Sequence, residues 1–313
     1  MNTEASPPCE PAVAILMILM AGIVLAGMDV IAKHLALSVP ILFVIWGRYF
    51  FHTLITFTVY SKKHKSFSFL RAKRPGLQLA RTTALFGATS TMYVAITKMP
   101  LGDASAIQFF APVLVTVFSG LFLNEHVGFR RWMAVVTAFV GVLLVARPGF
   151  GGLGWVALLP LITAIFLAGY MVLTRIISTK DNPDSTTFYS TALGALILTT
   201  LVTFQWQSLE LHQWALMSLM GVAGATGHYL LIKAFHIAEA SMLAPFTYAQ
   251  VVAAICWGFV VFGDVPNFWM ALGTALIVTS GIYVWYRETQ LTKKPHPQRK
   301  AAFFGESGES DET

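Results

Sequence analysis

Apolar runs of about 20 residues follow one another along almost the whole chain with only short polar gaps between them, and this succession constrains the fold more than any other feature. A hydrocarbon layer ~30 Å thick takes about 20 helical residues to cross. Such runs lie at approximately 12–35, 40–60, 77–97, 103–123, 132–147, 153–175, 185–206, 213–235, 241–262 and 266–286. They are continuous rather than alternating at every second residue, so helices are predicted and a lipid-embedded barrel is not. Charged residues are 12% of the chain and hydrophobic ones 56%, against about 25% charged in an ordinary globular protein. Too few charges remain to cover a wetted surface. A soluble enzyme, a nucleic-acid binder and a disordered scaffold are all disfavoured on that ground.

A net charge of +6 would point to nucleic acid in a soluble protein, but here most Lys and Arg fall in the gaps between runs. With the N-terminus inside, the inner gaps and tail hold fifteen of them, among them Lys62, Lys63, Arg130, Arg131, Arg175 and Arg287. The outer side holds three, Lys33, Lys98 and Arg147. Positive charge gathers on the cytoplasmic side. The expectation is therefore an even number of spans with both termini cytoplasmic, after a short N-terminus over 1–11. The tail over 288–313 is basic and then acidic with Gly and Ser, a composition that predicts disorder. Cys9 and Cys256 make neither a disulfide framework nor a metal pattern. The first run is too long for a secretory signal peptide and no soluble mature domain follows it.

The sequence also repeats itself. Residues 25–36, LAGMDVIAKHLA, match 167–178, LAGYMVLTRIIS, without gaps, placing Lys33 against Arg175. Tyr93, Ile96, Asp103, Ala104 and Ser105 recur as Tyr229, Ile232, Glu239, Ala240 and Ser241, and Trp132, Met133 and Ala134 as Trp269, Met270 and Ala271. The first five spans, 12–147, thus correspond to the last five, 153–287. Five is odd, so the second copy enters the membrane from the opposite side. The predicted fold is an all-α integral membrane protein of ten transmembrane helices in two inverted five-helix repeats. In secondary transporters this arrangement supplies two related states, one open to each side, around a site near the midplane.

The segments GDASAIQFFAPV opening span four, LNEHVGFRRW after it and ASMLAPFTYAQ opening span nine resemble the EamA family of the drug/metabolite transporter superfamily over residues 12–287. Within it, MDVIAK, WGRYF and APFTYAQ are similar to a subgroup that includes carriers of riboflavin, S-adenosylmethionine and opine-type metal chelators. The resemblance implies a proton-linked or facilitated carrier with a central cavity, working without ATP or a resident metal. It also implies a bacterial inner-membrane location.

An ionisable side chain inside a span costs at least ~2.5 kcal/mol on insertion scales, so each needs a partner or a cavity. Asp29 and Lys33 are four apart and share a helix face. Arg48 lies ~12 Å along span two from Pro40, at a depth comparable to Asp29. Asp29 is therefore expected to neutralise Arg48 or Lys33, and it is the candidate for proton coupling. His52 continues the Arg48 face inward. The cluster serves either as a lock between helices or as a binding site. Span seven has no basic residue at the matching place, and this favours binding, since Arg offers a planar donor fork to a carboxylate, phosphate or uracil-like oxygen. Trp46, Tyr93, Gln108, Tyr170, His228, Tyr248 and Gln250 complete the candidate substrate site. Aromatic side chains also collect at membrane interfaces, whereas amides in a span need a polar partner. Arg81 and Lys233, near span ends, are expected to snorkel to headgroups. Pro112 and Pro245, with Gly120 and Gly258, are the candidate hinges.

The sequence lacks a Walker-type phosphate loop, HExxH and a Cys/His metal set, so no cofactor is called for. A small-molecule substrate and the bilayer are the expected partners, nucleic acid is not, and the protein is expected as a monomer or homodimer. A planar polar metabolite such as riboflavin is the first substrate candidate. An amino-acid derivative such as S-adenosylmethionine or an opine-type chelator is the second, and a channel is the main competitor to a carrier.

Overall fold

A computed structural model describes residues 11–63, 68–70, 72–122, 129–147, 153–178, 183–237, 243 and 246–292. It contains eleven α-helices among these residues: α1 Pro11–Leu35, α2 Ile41–Lys63, α3 Pro75–Ile96, α4 Leu101–Gln108, α5 Ala111–Phe122, α6 Phe129–Ala146, α7 Leu158–Ser178, α8 Pro183–Thr203, α9 Leu211–Ile237, α10 Ala249–Phe262 and α11 Phe268–Thr292. Helices α4 and α5 are the halves of the fourth span, so the chain makes the ten predicted spans, and no strand occurs among the described residues. Four helical segments, Ala12–Leu35, Ile41–Lys63, Gly154–Thr174 and Asp184–Thr203, are long and apolar enough to cross a membrane by length and composition. Several other apolar helices are shorter. The long α3 keeps Gln78, Arg81, Thr82 and Thr89 buried, so its polar face is turned into the protein.

The helices pair across the repeats. Helix α1 lies against α9 and α10, α3 against α7 and α8, α2 against α8 and α9, α5 against α7, and α6 against α11. Exchanging each helix for its repeat equivalent turns α1·α9 into α7·α3, α1·α10 into α7·α5 and α2·α9 into α8·α3. It leaves α2·α8 and α6·α11 unchanged. Every one of these packings therefore has its symmetry mate.

Contacts also fix the directions. Along α1 and α10, Gly22 meets Gln250, Gly27 meets Trp257 and Lys33 meets Asp264, so the two run parallel. Along α3 and α7, Arg81 meets Tyr170 and Thr91 meets Thr163, so these run antiparallel. Tyr49 meets Gly194 while Lys63 meets Asp184, which makes α2 and α8 antiparallel too. Following the chain of pairings, α7 runs opposite to its equivalent α1, as an inverted duplication requires.

The α6–α11 crossing depends on two glycines. A methyl group at Gly141 would sit 2.7 Å from the Gly273 carbonyl oxygen, and one at Gly273 2.5 Å from that of Gly141. Only residues without a Cβ let these backbones approach so closely.

The predicted kink in span four is present but displaced. The helix breaks at Phe109 and Phe110, where the Phe110 amide bonds three residues back to Ile107 (3.1 Å). Pro112 then falls in the first turn of α5, where a missing N–H costs no helical bond. Gly120 lies in the last turn of α5. Pro245 lies outside the described residues.

Candidate functional site

Side chains that α2, α3, α7, α8 and α9 turn away from lipid, most of them polar, converge on one chamber between the repeats. Helix α2 contributes Arg48, Tyr49 and His52, and α3 contributes Leu85. From the second repeat come Tyr170 of α7, Thr187, Ser190 and Thr191 of α8, and His228 of α9. The chamber encloses about 10 Å³, room for about one water molecule. A larger hollow of about 340 Å³ lies between α6 and α11, but no charged group among the described residues lines it. The chemistry is in the smaller one.

The Arg48 guanidinium lies over the Tyr93 ring, 5.3 Å from its centroid. Asp29, buried on α1, is within electrostatic reach of Arg48 without forming an ion-pair contact. Tyr49 donates to Thr89 Oγ1 (3.2 Å) and Thr53 to Thr191 Oγ1 (3.0 Å), tying α2 to both neighbours. His52 is 1% exposed, and neither of its ring nitrogens has a hydrogen-bond partner. Its ring faces that of His228 at 5.7 Å between centroids. Unpartnered nitrogens at such burial are costly unless a ligand or water engages them.

Below this level lies Arg81, and here the structure corrects the sequence reading. Arg81 does not reach for headgroups; it is 1% exposed. Its Nε donates to Gln78 Oε1 (3.2 Å), one terminal nitrogen to Tyr170 Oη (3.2 Å) and Thr174 Oγ1 (3.5 Å), and the other to Ser190 Oγ (2.8 Å) and the Thr186 carbonyl. The guanidinium also lies 5.1 Å from the centroid of the Tyr170 ring. Three helices thus close on one charge. Lys233, by contrast, is exposed beside the Tyr229 ring.

Lys33 does not pair with Asp29. Its Nζ bonds Asp264 Oδ2 at 2.8 Å and lies over the Phe262 ring. Gly263, in the left-handed region at φ 68°, turns the chain so that the Asp264 amide returns to the Gly258 carbonyl (3.2 Å). Gly258 accordingly receives the bond that closes the end of α10.

The remaining candidates lie elsewhere. Trp46 is buried among Phe43, Phe50, Trp206 and Trp214 and donates to Thr199 Oγ1 (2.9 Å), outside the chamber wall. Tyr93 is wholly buried beneath Arg48. Gln108 ends α4, and its neighbour Phe109 touches the Tyr248 ring at 5.7 Å. The buried Tyr248 hydroxyl has no hydrogen-bond partner among the described residues. Gln250 opens α10 against Gly22. The predicted residues therefore divide, with Arg48, His52, Tyr170 and His228 around the chamber and Gln108, Tyr248 and Gln250 near the α4–α10 contact. Tyr49, Arg81, Ser190 and Thr191 were not foreseen at the site. The buried positions 78, 81, 82, 85, 89, 92 and 93 of α3 repeat at three and four residues, and that polar stripe is the signal that marks Arg81.

Residues 12–147 and 154–286 each match the EamA-like transporter family. The chain belongs to that family. This EamA-like protein is 30% identical over 227 residues to a riboflavin transporter of Vibrio cholerae, covering 72% of this chain and 76% of that one. It is 26% identical over 271 residues to an S-adenosylmethionine uptake transporter of Rickettsia conorii, covering 86% and 90%. A pseudopaline exporter of Pseudomonas aeruginosa is 25% identical over 275 residues, covering 86% and 94%. One solved crystal structure, 16% identical, superimposes with a TM-score of 0.63 over 90% of this chain and 99% of that chain, and so shares the fold. The EamA-like chain is a multi-pass membrane transporter of small metabolites.

Proposed function

We propose that this transporter is a secondary carrier of the bacterial inner membrane, with both termini cytoplasmic, that moves a small polar metabolite by alternating access through the Arg48 chamber. The observation that carries the reading is the composition of the wall. A guanidinium, two imidazoles, two phenols and three hydroxyls meet between the repeats, the mix of rings and a few placed polar groups that binds small molecules. A metabolite site takes roughly 300 Å³ or more, so α2 and its partners must separate for substrate to enter. A symmetric pair of repeats supplies that movement in two directions.

The relatives carry different cargoes, and the planar, polar ring of riboflavin suits the aromatic wall. The second reading, an amino-acid derivative such as S-adenosylmethionine or an opine-type chelator, is favoured by Arg48, which would meet the carboxylate. Uptake of labelled riboflavin by vesicles containing the purified protein, competed by each alternative compound, tests both. Saturable uptake with counter-transport supports a carrier; flux that rises linearly with concentration and shows no exchange would sink it in favour of a channel.

A further inference from the structure

Two guanidinium groups, Arg48 and Arg81, are buried in the membrane-spanning part of the protein within electrostatic reach of His228. Asp29 is the carboxylate that answers Arg48. No carboxylate among the described residues reaches Arg81 within 4.0 Å, and its donors end on neutral oxygens of Gln78, Tyr170, Thr174, Thr186 and Ser190. A buried charge balanced only by dipoles is costly, and an anion nearby would relieve it.

The hydrogen-bond directions show where such an anion would sit. Ser190 accepts from Arg81 and donates its own O–H to the Thr186 carbonyl (2.8 Å), so its hydroxyl is committed. The Tyr170 hydroxyl also accepts from Arg81, but its own O–H meets no acceptor among the described residues, and Tyr170 forms part of the chamber wall. A phenol that receives a bond from a cation becomes a stronger donor. On the same chamber, His52 holds two unpartnered ring nitrogens at 1% exposure. Donors backed by Arg81 at one level and by Arg48 at another therefore face one space where the charges of the described residues do not sum to zero.

We infer that the substrate carries an anionic oxygen group, carboxylate or phosphate, received by the Tyr170 hydroxyl with Arg81 as the positioning residue behind it. This rests on the chamber being the transport site and narrows the substrate class within that reading. Arg81 has no free donor for the substrate, so it acts through Tyr170 and through its field.

Transport by the full-length protein in vesicles is to be compared for pairs that differ in the anionic group alone: riboflavin 5′-phosphate against riboflavin, and S-adenosylmethionine against its carboxamide. Because phosphate and carboxylate are tested separately, the pairs also distinguish the two sources. The expected result is a preference of at least about tenfold in kcat/KM for the anionic member of one pair. Tyr170→Phe should bring that ratio close to one. Arg81→Gln should do the same, and Arg81→Lys should keep part of the preference. A purely structural Arg81 would lower both members equally and leave the ratio unchanged. Equal transport of both members by the wild-type protein, or an unchanged ratio in Tyr170→Phe, overturns the inference and leaves the carrier reading standing. If no member of either pair moves, the chamber reading falls and the inference with it.

Discussion

Replacing Arg48 separates its two interactions, because Asp29 needs its charge and a substrate needs its shape. In Arg48→Lys the charge opposite Asp29 survives, but the planar group over Tyr93 and the paired donors are lost. Losing one charge-assisted bond to substrate costs about 2 kcal/mol, which is about 30-fold in kcat/KM. The folded amount should stay near that of the parent. In Arg48→Ala the buried Asp29 loses its partner, and removing one member of a buried charge pair costs roughly 3–5 kcal/mol. Because the two groups are not in direct contact, the lower end is expected. Adding Asp29→Asn to Arg48→Ala removes the orphan carboxylate and should recover about half of that loss without restoring transport. Thermal unfolding in detergent followed by size exclusion reads the first quantity, and initial uptake rates in vesicles read the second. Wild-type uptake by Arg48→Lys would refute the binding role. A double variant no more stable than Arg48→Ala would refute the electrostatic link to Asp29.

Asp264→Asn, which breaks a part-buried 2.8 Å ion pair, should cost about 1–2 kcal/mol, and Lys33→Met in that background should add little; additive losses in unfolding midpoint would show that the two do not act as a pair. Asp29→Asn should retain substrate exchange yet lose accumulation driven by an imposed pH gradient, so accumulation that survives would exclude Asp29 as the coupling site. Reporter fusions near positions 68, 128, 180 and 295 should read cytoplasmic and those near 38, 150 and 209 external. An external report near 295 would remove the proposed orientation.

The fold was readable because crossing a bilayer imposes a length on each apolar run, and because duplication leaves matching residues at matching distances. The break at Phe109 and Phe110 was only half readable. Pro112 announces an interruption, but a proline fits the first turn of a helix, so the interruption falls just before it. Arg48, His52, Tyr170 and His228 stood out because a costly side chain in an apolar run has to be satisfied by the fold. Arg81 was misread because its distance from the span end equally fits a snorkelling side chain, and only the helical spacing of Gln78, Thr82, Leu85 and Thr89 distinguishes the two. Trp46 was misplaced since a tryptophan serves an aromatic core as well as a binding wall. Asp29 is one helical turn from Lys33, whereas the true partner Asp264 is 231 residues away. Local spacing carries no information about a pairing made by the packing of α1 on α10.

Packing and chemistry obey different symmetries in this transporter. Each of the main helix pairings has a mate under exchange of the repeats or maps onto itself, so the principal packing of the scaffold does not distinguish the two sides of the membrane. The charges lack that property. At the offset of the Tyr93 and Tyr229 match, Arg81 corresponds to Met217, a fully buried side chain that packs on Gly47. At the offset of the Lys33 and Arg175 match, Arg48 corresponds to Ser190, which Arg81 itself holds. Both guanidinium groups therefore belong to the first repeat, and the second supplies phenol, imidazole and hydroxyl groups around them. A symmetric scaffold makes two access states nearly equal in energy, so a small differential affinity is enough to shift between them. On the proposed carrier function, the asymmetric chamber selects the solute that supplies that difference, because α2 and α3 bring the positive charge while α7, α8 and α9 bring the groups that shape it.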